Sequence, residues 1–379
     1  MALNINKKIG VITPSFTPRA FKAAYDNYKL GRLTNLVAMF EYAEIDSHIT
    51  GCLLGRDAGY KKDWQIKAAT ESSQDEAIKE FIEQYFITLN ARDLFEDIIE
   101  AKYKKFTVLE YADWEIMDNK QVPTELRKVH QKYFRFDQND ENKLKIDHVT
   151  ERLEDIPENS ALIINYRKNP IFLPVLRDYI LKEFGVESWA AFMETFGEPF
   201  IIGKYPPNSD ASFINQVEEA VNAIGSSSRG TAPIGSEFEI KETNRNTGDH
   251  KTFVERCDAG ISITILGHEN AVKESPGLKI GENLSAYKVK REIALDDIHF
   301  IQTHLNQFIK FLVRRNYPAV TKFPTFSIDK SEPINVKERL LILEQAFEQG
   351  VELEAAEYAL LGIKVQENAP NLSKPNLLD

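Results

Sequence analysis

The chain has 379 residues, 42% of them hydrophobic and 28% charged, enough for more than one packed unit of ordinary globular composition. Its 47 Lys and Arg against 58 Asp and Glu leave a net charge of -11. That balance excludes a protein that grips nucleic acid over its whole surface, because phosphate contacts supply most of such affinity. No apolar run approaches the roughly 18 residues of a membrane span, so no membrane is expected as a partner. Met1 to Phe16 holds no apolar stretch of signal-peptide type. Cys52 and Cys257 fit no metal or redox spacing and read as reduced, packed thiols of a cytoplasmic protein.

Residues 1–29 lack strong periodicity and read as an irregular arm. Helical spacing begins at Leu33, Leu36, Val37 and Phe40 and continues through Ile45, Ile49 and Leu53. Trp64 and Ile66 alternate in a short strand over Asp63–Ile66. An amphipathic helix is predicted over Gln74–Leu89, on the stripe of Ala77, Ile78, Phe81, Ile82, Tyr85 and Phe86. A second follows over Leu94–Tyr103, and Phe106, Val108 and Leu109 lead into strand-like sequence. Tyr133–Phe136 and Leu144–Ile146 flank the polar connection Asp137–Asn142 as a hairpin, and Ala161–Ile164 is a further strand. Residues 106–166 thus read as a small mixed module between helices.

Pro174–Phe196 is helical, with an interruption at Gly185 read as a C-cap. Phe200–Ile202 is strand-like, Asn215–Ile224 a helix ending at Gly225, and Phe253–Leu266 helical. Ile298, Ile301, Leu305, Phe308 and Leu312 step by three and four along another helix, which ends before Pro318. A last helix is expected over Val336–Gln349. The polar tail from Gln366, with Pro370 and Pro375, is expected to be disordered. The fold class is α+β.

Chemical motifs fail on their particulars. Gly225 to Ala232 has the frame of a phosphate loop, yet Thr231 and Ala232 stand where the lysine and the metal-binding hydroxyl belong. The loop also follows a helix rather than a strand, and reads as a flexible turn. Asp137 to Asn142 resembles the start of a calcium loop but lacks the glycine at the sixth position, and His148 holds the twelfth. Asp296, Asp297, His299 and His304 could be weighed as metal ligands, but His299 and His304 diverge around a helix, and the group reads as a packed helix's polar face. No catalytic, cofactor or metal site is expected. Lys273, Lys279, Lys288, Lys290 and Arg291 form a basic excess around Pro276, Gly277 and Gly281, taken alone a solvated charge run.

One stretch carries a resemblance. From Gly185 to Tyr205 the sequence resembles the Mu-like bacteriophage portal family, whose W-A-x-F-x-E-x-F-G-x-P helix runs into a G-K-Y strand. Trp189, Phe192, Glu194, Gly197, Pro199, Gly203, Lys204 and Tyr205 match it. Other stretches fall in the family's order: Asp46, His48 and Ile49 with Arg56 and Trp64; Val108 and Glu110 with Trp114; Ile261 to Gly267; and Phe323-Pro324 with Phe326. Lys105 departs from a glycine common in the family. The match spans roughly residues 33–365.

The resemblance implies a non-enzymatic ring, usually of twelve subunits, at one capsid vertex, a channel for DNA packaging and ejection. It implies a portal fold with wing, helical stem, β-containing clip, tunnel loop and reduced crown. Mapped by order, the wing takes 1–90 and 186–335, the stem 91–107 and 170–185, the clip 108–169, and the crown and tail 336–379. The tunnel loop falls near 269–286, which would bring Lys273, Lys279 and Lys288 to the duplex. Asp137, Asn139, Asp140 and Glu141 would face the terminase large subunit or the head-tail adaptor. Major capsid protein or scaffold would be a further partner, with assembly in the host cytoplasm and residence in the virion. The alternatives are another capsid or scaffold component, or a packaging-associated enzyme. An acidic bore would let duplex slide past, since each neutralised phosphate adds adhesion.

Overall fold

The computed structural model describes residues 3, 13–140, 143–148, 153–196, 200–227, 234–241, 248–269 and 280–330. Glu141, Gly197, Pro199, Lys273 and Lys279 lie outside the described residues, as do the helix expected over Val336–Gln349 and the tail. The chain divides into two units, Met1–Ile328 and Asp329–Asp379. All that follows concerns the first.

Residues 18–29 of the expected irregular arm are helical. Helix α1 spans Pro18–Lys29, capped by Thr17, whose hydroxyl accepts from the Ala20 amide at 3.1 Å. A capping threonine followed by proline at the first helical position starts the helix, which buries Ala24 and packs Phe21, Tyr25 and Tyr28 against the core. The helical spacing from Leu33 resolves into two helices, α2 Thr34–Ala43 and α3 Ser47–Asp57. The break comes at Asp46, whose carboxylate accepts from the amides of His48 (2.9 Å) and Ile49 (3.0 Å) and starts α3.

Strand β1 (Trp64–Lys67), helices α4 (Ser73–Thr88) and α5 (Ala91–Lys104) follow. Then β2 (Phe106–Met117) and β3 (Lys120–Val129) form a long antiparallel hairpin, joined by Asp118 and Asn119, both with positive φ. β7 (Ala161–Asn165) adds to the other edge of β2, giving the order β3-β2-β7. β4 (Phe134–Phe136), β5 (Leu144–Asp147) and β6 (Leu153–Asp155) form a second antiparallel sheet, which contains the expected hairpin.

Helix α6 runs unbroken over Phe172–Phe196. Gly185 therefore does not end it. A Cβ there would lie 2.7 Å from Phe253 Cδ1, so the glycine lets a second helix cross closely. That helix is α8, Gly248–Leu266. The two run antiparallel, since Gly185 meets Phe253 while Asp178, nearer the start of α6, meets Gly260. Between them lie β8 (Phe200–Lys204), α7 (Ala211–Ser227) and β9 (Glu237–Lys241), with β8 and β9 paired antiparallel. The helical pair is thus α6 with α8. α5 packs against α9 and the β2 sheet, with Tyr103 stacked on Phe172 at the start of α6.

α9 (Ile280–Asn316) is 37 residues long and forms the spine of the core. Its Ile298, Ile301, Leu305, Phe308, Ile309, Leu312 and Val313 are buried against α4, α5, β2 and β10 (Thr325–Ile328). β10 pairs antiparallel with β1, setting Phe326 opposite Ile66, while Trp64 stacks on the Phe326 ring at 5.2 Å. Phe86 and Phe95 close around the same ring at 5.4 and 5.9 Å. Each such side chain contributes about 1.5–3 kcal/mol of burial.

A second cluster, from Leu33, Val37, Phe106, Phe134, Phe136 and Ile146, fastens the β4–β5 hairpin to α2 and β2. Gly31, at φ +80°, makes this junction: its carbonyl accepts from the Phe136 amide at 3.1 Å, and a Cβ would stand 2.6 Å from the Phe136 carbonyl oxygen. Gly31→Ala should therefore cost about 2 kcal/mol or more, combining left-handed strain with a backbone clash. Gly235, at φ +101° with no neighbour within 4 Å, supplies the control and should lose only the strain, about 1 kcal/mol. Urea midpoints of the two variants read the difference.

Candidate functional site

At the acidic pair on α9 three buried charged side chains, Arg56, Lys102 and Asp297, converge. Asp297 is 0% exposed, and its carboxylate accepts from Arg56 Nε at 2.8 Å and Nη2 at 2.9 Å and from Lys102 Nζ at 2.8 Å. Arg56 also donates to the Ile265 carbonyl at 2.9 Å, and Lys102 reaches Asp296 as well. One carboxylate so ties α3, α5 and α9 together, with α8 attached through Arg56. Burial would lower the Arg56 pKa, but its bonds to Asp297 hold it above the ordinary value. His299 and His304 take no part: His304 packs on Phe300 at 4.6 Å and lies 3.3 Å from Gln307, and burial lowers its pKa. Among the described residues, no group of three side chains could hold a metal ion.

A second buried cation joins the helical pair to the rest. Lys182 on α6 lies 2.7 Å from Asp46 and 2.8 Å from Asp258 of α8. Beside it, His48 Nε2 stands 2.8 Å from Ser262 Oγ and 2.9 Å from the Asp258 carbonyl. The third group is a ladder. Lys104 pairs with Glu44 and Glu100, each at 3.0 Å, and Lys128 with Glu100 and Asp97, each at 2.8 Å. Burial would raise the Glu100 pKa, but the two ammonium groups override that and hold it at about 2.

The short patterns noted in the sequence fall on these joints. Asp46, His48 and Arg56 are the residues just described, and Trp64 is in the aromatic cluster. Glu110 is buried, accepting from Arg127 at 2.8 Å and from the Leu3 amide. Trp114 lies under the Arg315 guanidinium at 4.2 Å. Ile261, Ile265 and Leu266 are buried, and Gly267, at φ +78°, follows the end of α8. These residues position backbone and helices, and none is arranged for chemistry.

The remaining expected residues separate. Trp189, Phe192 and Glu194 lie on the far half of α6, with Phe192 5.8 Å from His250 of α8. Gly203 lets β8 lie against α7, since a Cβ would meet Val217 and Val221 at 2.8 Å. Lys204 pairs with Glu239 across β8–β9 at 2.9 Å, and Tyr205 is exposed. Asp137 turns inward, accepting from Lys145 at 2.6 Å and from the Asn139 amide at 3.0 Å, and Lys145 lowers its pKa. Asn139 and Asp140 stay exposed at the hairpin tip. Lys288 is exposed early in α9 and lines a cleft of about 420 Å³ with Arg56, Glu292 and Asp296.

A family profile described as the portal protein of Mu bacteriophage matches residues 37–362. The chain belongs to the Mu portal protein family. The portal protein of Escherichia phage Mu is 22% identical over 313 residues, covering 77% of this chain and 60% of the Mu protein, so this chain spans less than two thirds of that relative. Two solved structures are similar in fold at 12% identity. The neck of an empty gene transfer agent particle, computed with C6 symmetry, gives a TM-score of 0.58 and covers 95% of this chain and 98% of the other. The neck of a native particle, computed with C12 symmetry, gives 0.56, with 94% and 97% covered. The mixed helix-and-sheet architecture is the portal fold. As a portal family member the chain is of a structural class, in keeping with charged groups that serve as counter-ions.

Two measurements address the portal's charged joints. Asp297→Leu strands Arg56 in the core and leaves Lys102 only Asp296, and should cost about 3–5 kcal/mol, whereas adding Arg56→Met should recover much of it. Chemical denaturation of the singles and the double gives the cycle. For Glu100 the folded pKa lies below the unfolded one, so its contribution is present above about 4.5 and lost as pH falls toward about 2. The stability gap between wild type and Glu100→Gln should be full at pH 7 and shrink across that window.

Proposed function

We propose that the chain is the subunit of a closed ring, of twelve copies, at one vertex of a phage capsid, through which DNA is packaged and ejected. The observation that supports this reading is the antiparallel pair α6 and α8, with the β8, α7 and β9 insert between them in the chain and the long helix α9 after them. In the plan that the resemblance implies, paired helices are the stem, the insert between them is the clip, and the segment before the long helix is the tunnel loop. The stem is then 172–196 with 248–266 and the clip 200–241, rather than 91–107 with 170–185 and 108–169. Residues 1–171 with the later part of α9 make the wing, and Asp137, Asn139 and Asp140 become wing residues. Lys204 and Tyr205 belong to the clip, where terminase large subunit and head-tail adaptor would dock. Major capsid protein or scaffold would meet the wing.

Lys273, Lys279 and Lys288 flank the start of α9 and would reach the channel. A net charge of -11 per copy keeps duplex from adhering, and a few lysines per subunit give weak, reversible phosphate contacts. The same charge repels neighbouring copies, so their contacts must bury apolar surface. Leu181, Phe184, Val186 and Met193 on α6 and Phe253 and Ile263 on α8 are exposed and supply it, with Phe184 at 63%.

Solution mass with negative-stain images tests the ring. Twelve copies of 43.3 kDa give a closed assembly of about 520 kDa with a central hole. Shells or filaments would favour another capsid or scaffold component. A 43.3 kDa species that persists alone and with its capsid and scaffold proteins would overturn the ring.

A further inference from the structure

The far end of α9 carries a basic cleft that the channel does not use. Lys310, Arg314 and Arg315 line it with Asn159, Gln307 and Phe311, and it encloses about 470 Å³. Its cations are held by rings. Lys310 and Arg314 both lie over Phe323, at 5.6 and 5.4 Å to the centroid, and Arg315 lies over Trp114 at 4.2 Å. Arg315 also donates to Gln121 Oε1 at 2.8 Å, and Asn316 locks onto the Gln121 backbone, which fixes the β2–β3 turn against the helix end. Among the described residues, no carboxylate stands within ion-pair distance of these three side chains.

A favourable interaction with the helix dipole accounts for Arg314 and Arg315 in the last turn. It does not account for Lys310, more than a turn earlier, nor for the stacking of Lys310 and Arg314 on one ring in an acidic chain. Stacking occupies the faces of the guanidinium groups and leaves the N–H edges of Arg314 for a bidentate carboxylate or phosphate, whereas Arg315, whose Nε and Nη2 are held by Gln121, offers Nη1 beside it. Trp114 and Phe323, the stacking rings, belong to two of the short patterns in the sequence that the channel leaves unused.

We propose that this cleft binds an acidic peptide segment of another protein. Duplex DNA fits it less well. A cleft of this volume takes side chains rather than a helix about 20 Å wide, and tight duplex binding needs some 6–10 phosphate contacts where three cations stand. Lys310 is also 30 residues along α9 from Ile280, about 45 Å of helix, which separates the cleft from the segment assigned to the channel. The proposal stands on the cleft itself and holds whether or not the chain forms a ring.

The test uses the full chain and a dye-labelled decapeptide of alternating Glu and Ser, read by fluorescence anisotropy. Arg314→Glu with Arg315→Glu should weaken binding about tenfold or more, while Lys288→Glu with Lys290→Glu leaves it within about twofold. Arg314→Gln with Arg315→Gln serves if the reversal does not fold, and should weaken it in the same direction. Absence of peptide binding, or equal loss in both pairs, would overturn the proposal. So would a 20-base-pair duplex that displaces the labelled peptide at lower concentration than unlabelled peptide does, which would make the cleft a phosphate surface. If the Arg314 and Arg315 variants fold but lose assembly, the occupant is a second copy of this chain, and the proposal is again overturned.

Discussion

A single buried carboxylate, Asp297, fixes how the helices of this portal lie against one another. It meets Arg56 from α3 and Lys102 from α5 in the same place, and Arg56 continues to the last turns of α8. Apolar packing alone would allow α9 to slide or rotate by a step at modest cost, since Ile, Leu and Phe can exchange places along a helix face. Charges at full burial do not exchange. Losing one partner leaves another desolvated and unpaired, which penalises every neighbouring register. The seam therefore selects an arrangement more than it adds net stability, and it sits where α9 leaves the cleft of Lys288 and enters the core.

The same logic extends outward through Lys182. Its two carboxylates belong to different bodies: Asp46 starts α3, and Asp258 is on α8. A push on the α6–α8 pair is thus transmitted to the capped end of α3, one helix away from Arg56 and Asp297. Asp46 does two jobs with one side chain, as the N-cap of α3 and a counter-ion of α6. Its neighbour His48 is held by α8, so the short Asp46–Ile49 stretch is a hinge plate between helices.

Periodicity made α4, most of α5 and β5 legible, because each buries one face and turns the other outward, while β4 was marked by its aromatic alternation although Arg135 between the rings is buried too. Where a single residue decides a boundary, it failed. Thr17 and Pro18 mark the start of α1, whose apolar side chains are mostly aromatic and only partly buried, and Asp46 divides a helical pattern that apolar spacing alone carries straight through. Gly185 was misread for the reason that makes it useful: its missing Cβ lets α8 approach α6, a contact with no local signature. The Asp118–Asn119 turn did have one, two residues suited to positive φ, but Pro123 obscured the strand that follows. The β1–β10 pairing and the partners of Asp297 join residues far apart in sequence, 241 positions for Arg56 and 195 for Lys102, and nothing local announces them.

Those failures share a cause with the absence of recognisable chemistry in the motifs. The residues that resemble the portal family are those with long-range structural partners: Arg56 with Asp297, Glu110 with Arg127, Trp64 with Phe326, Trp114 with Arg315. Side chains chosen to hold one arrangement must be buried, stacked or paired, and a group so engaged is not free to take a proton from a substrate. The polar groups that could act on a partner are then the ones left outside the joints. Among the described residues, two such groups lie on one helix, Lys288 near its start and the Lys310–Arg315 cleft near its finish. The length of α9 keeps these two charged regions apart, so that the channel and the peptide partner proposed above would not compete for one surface.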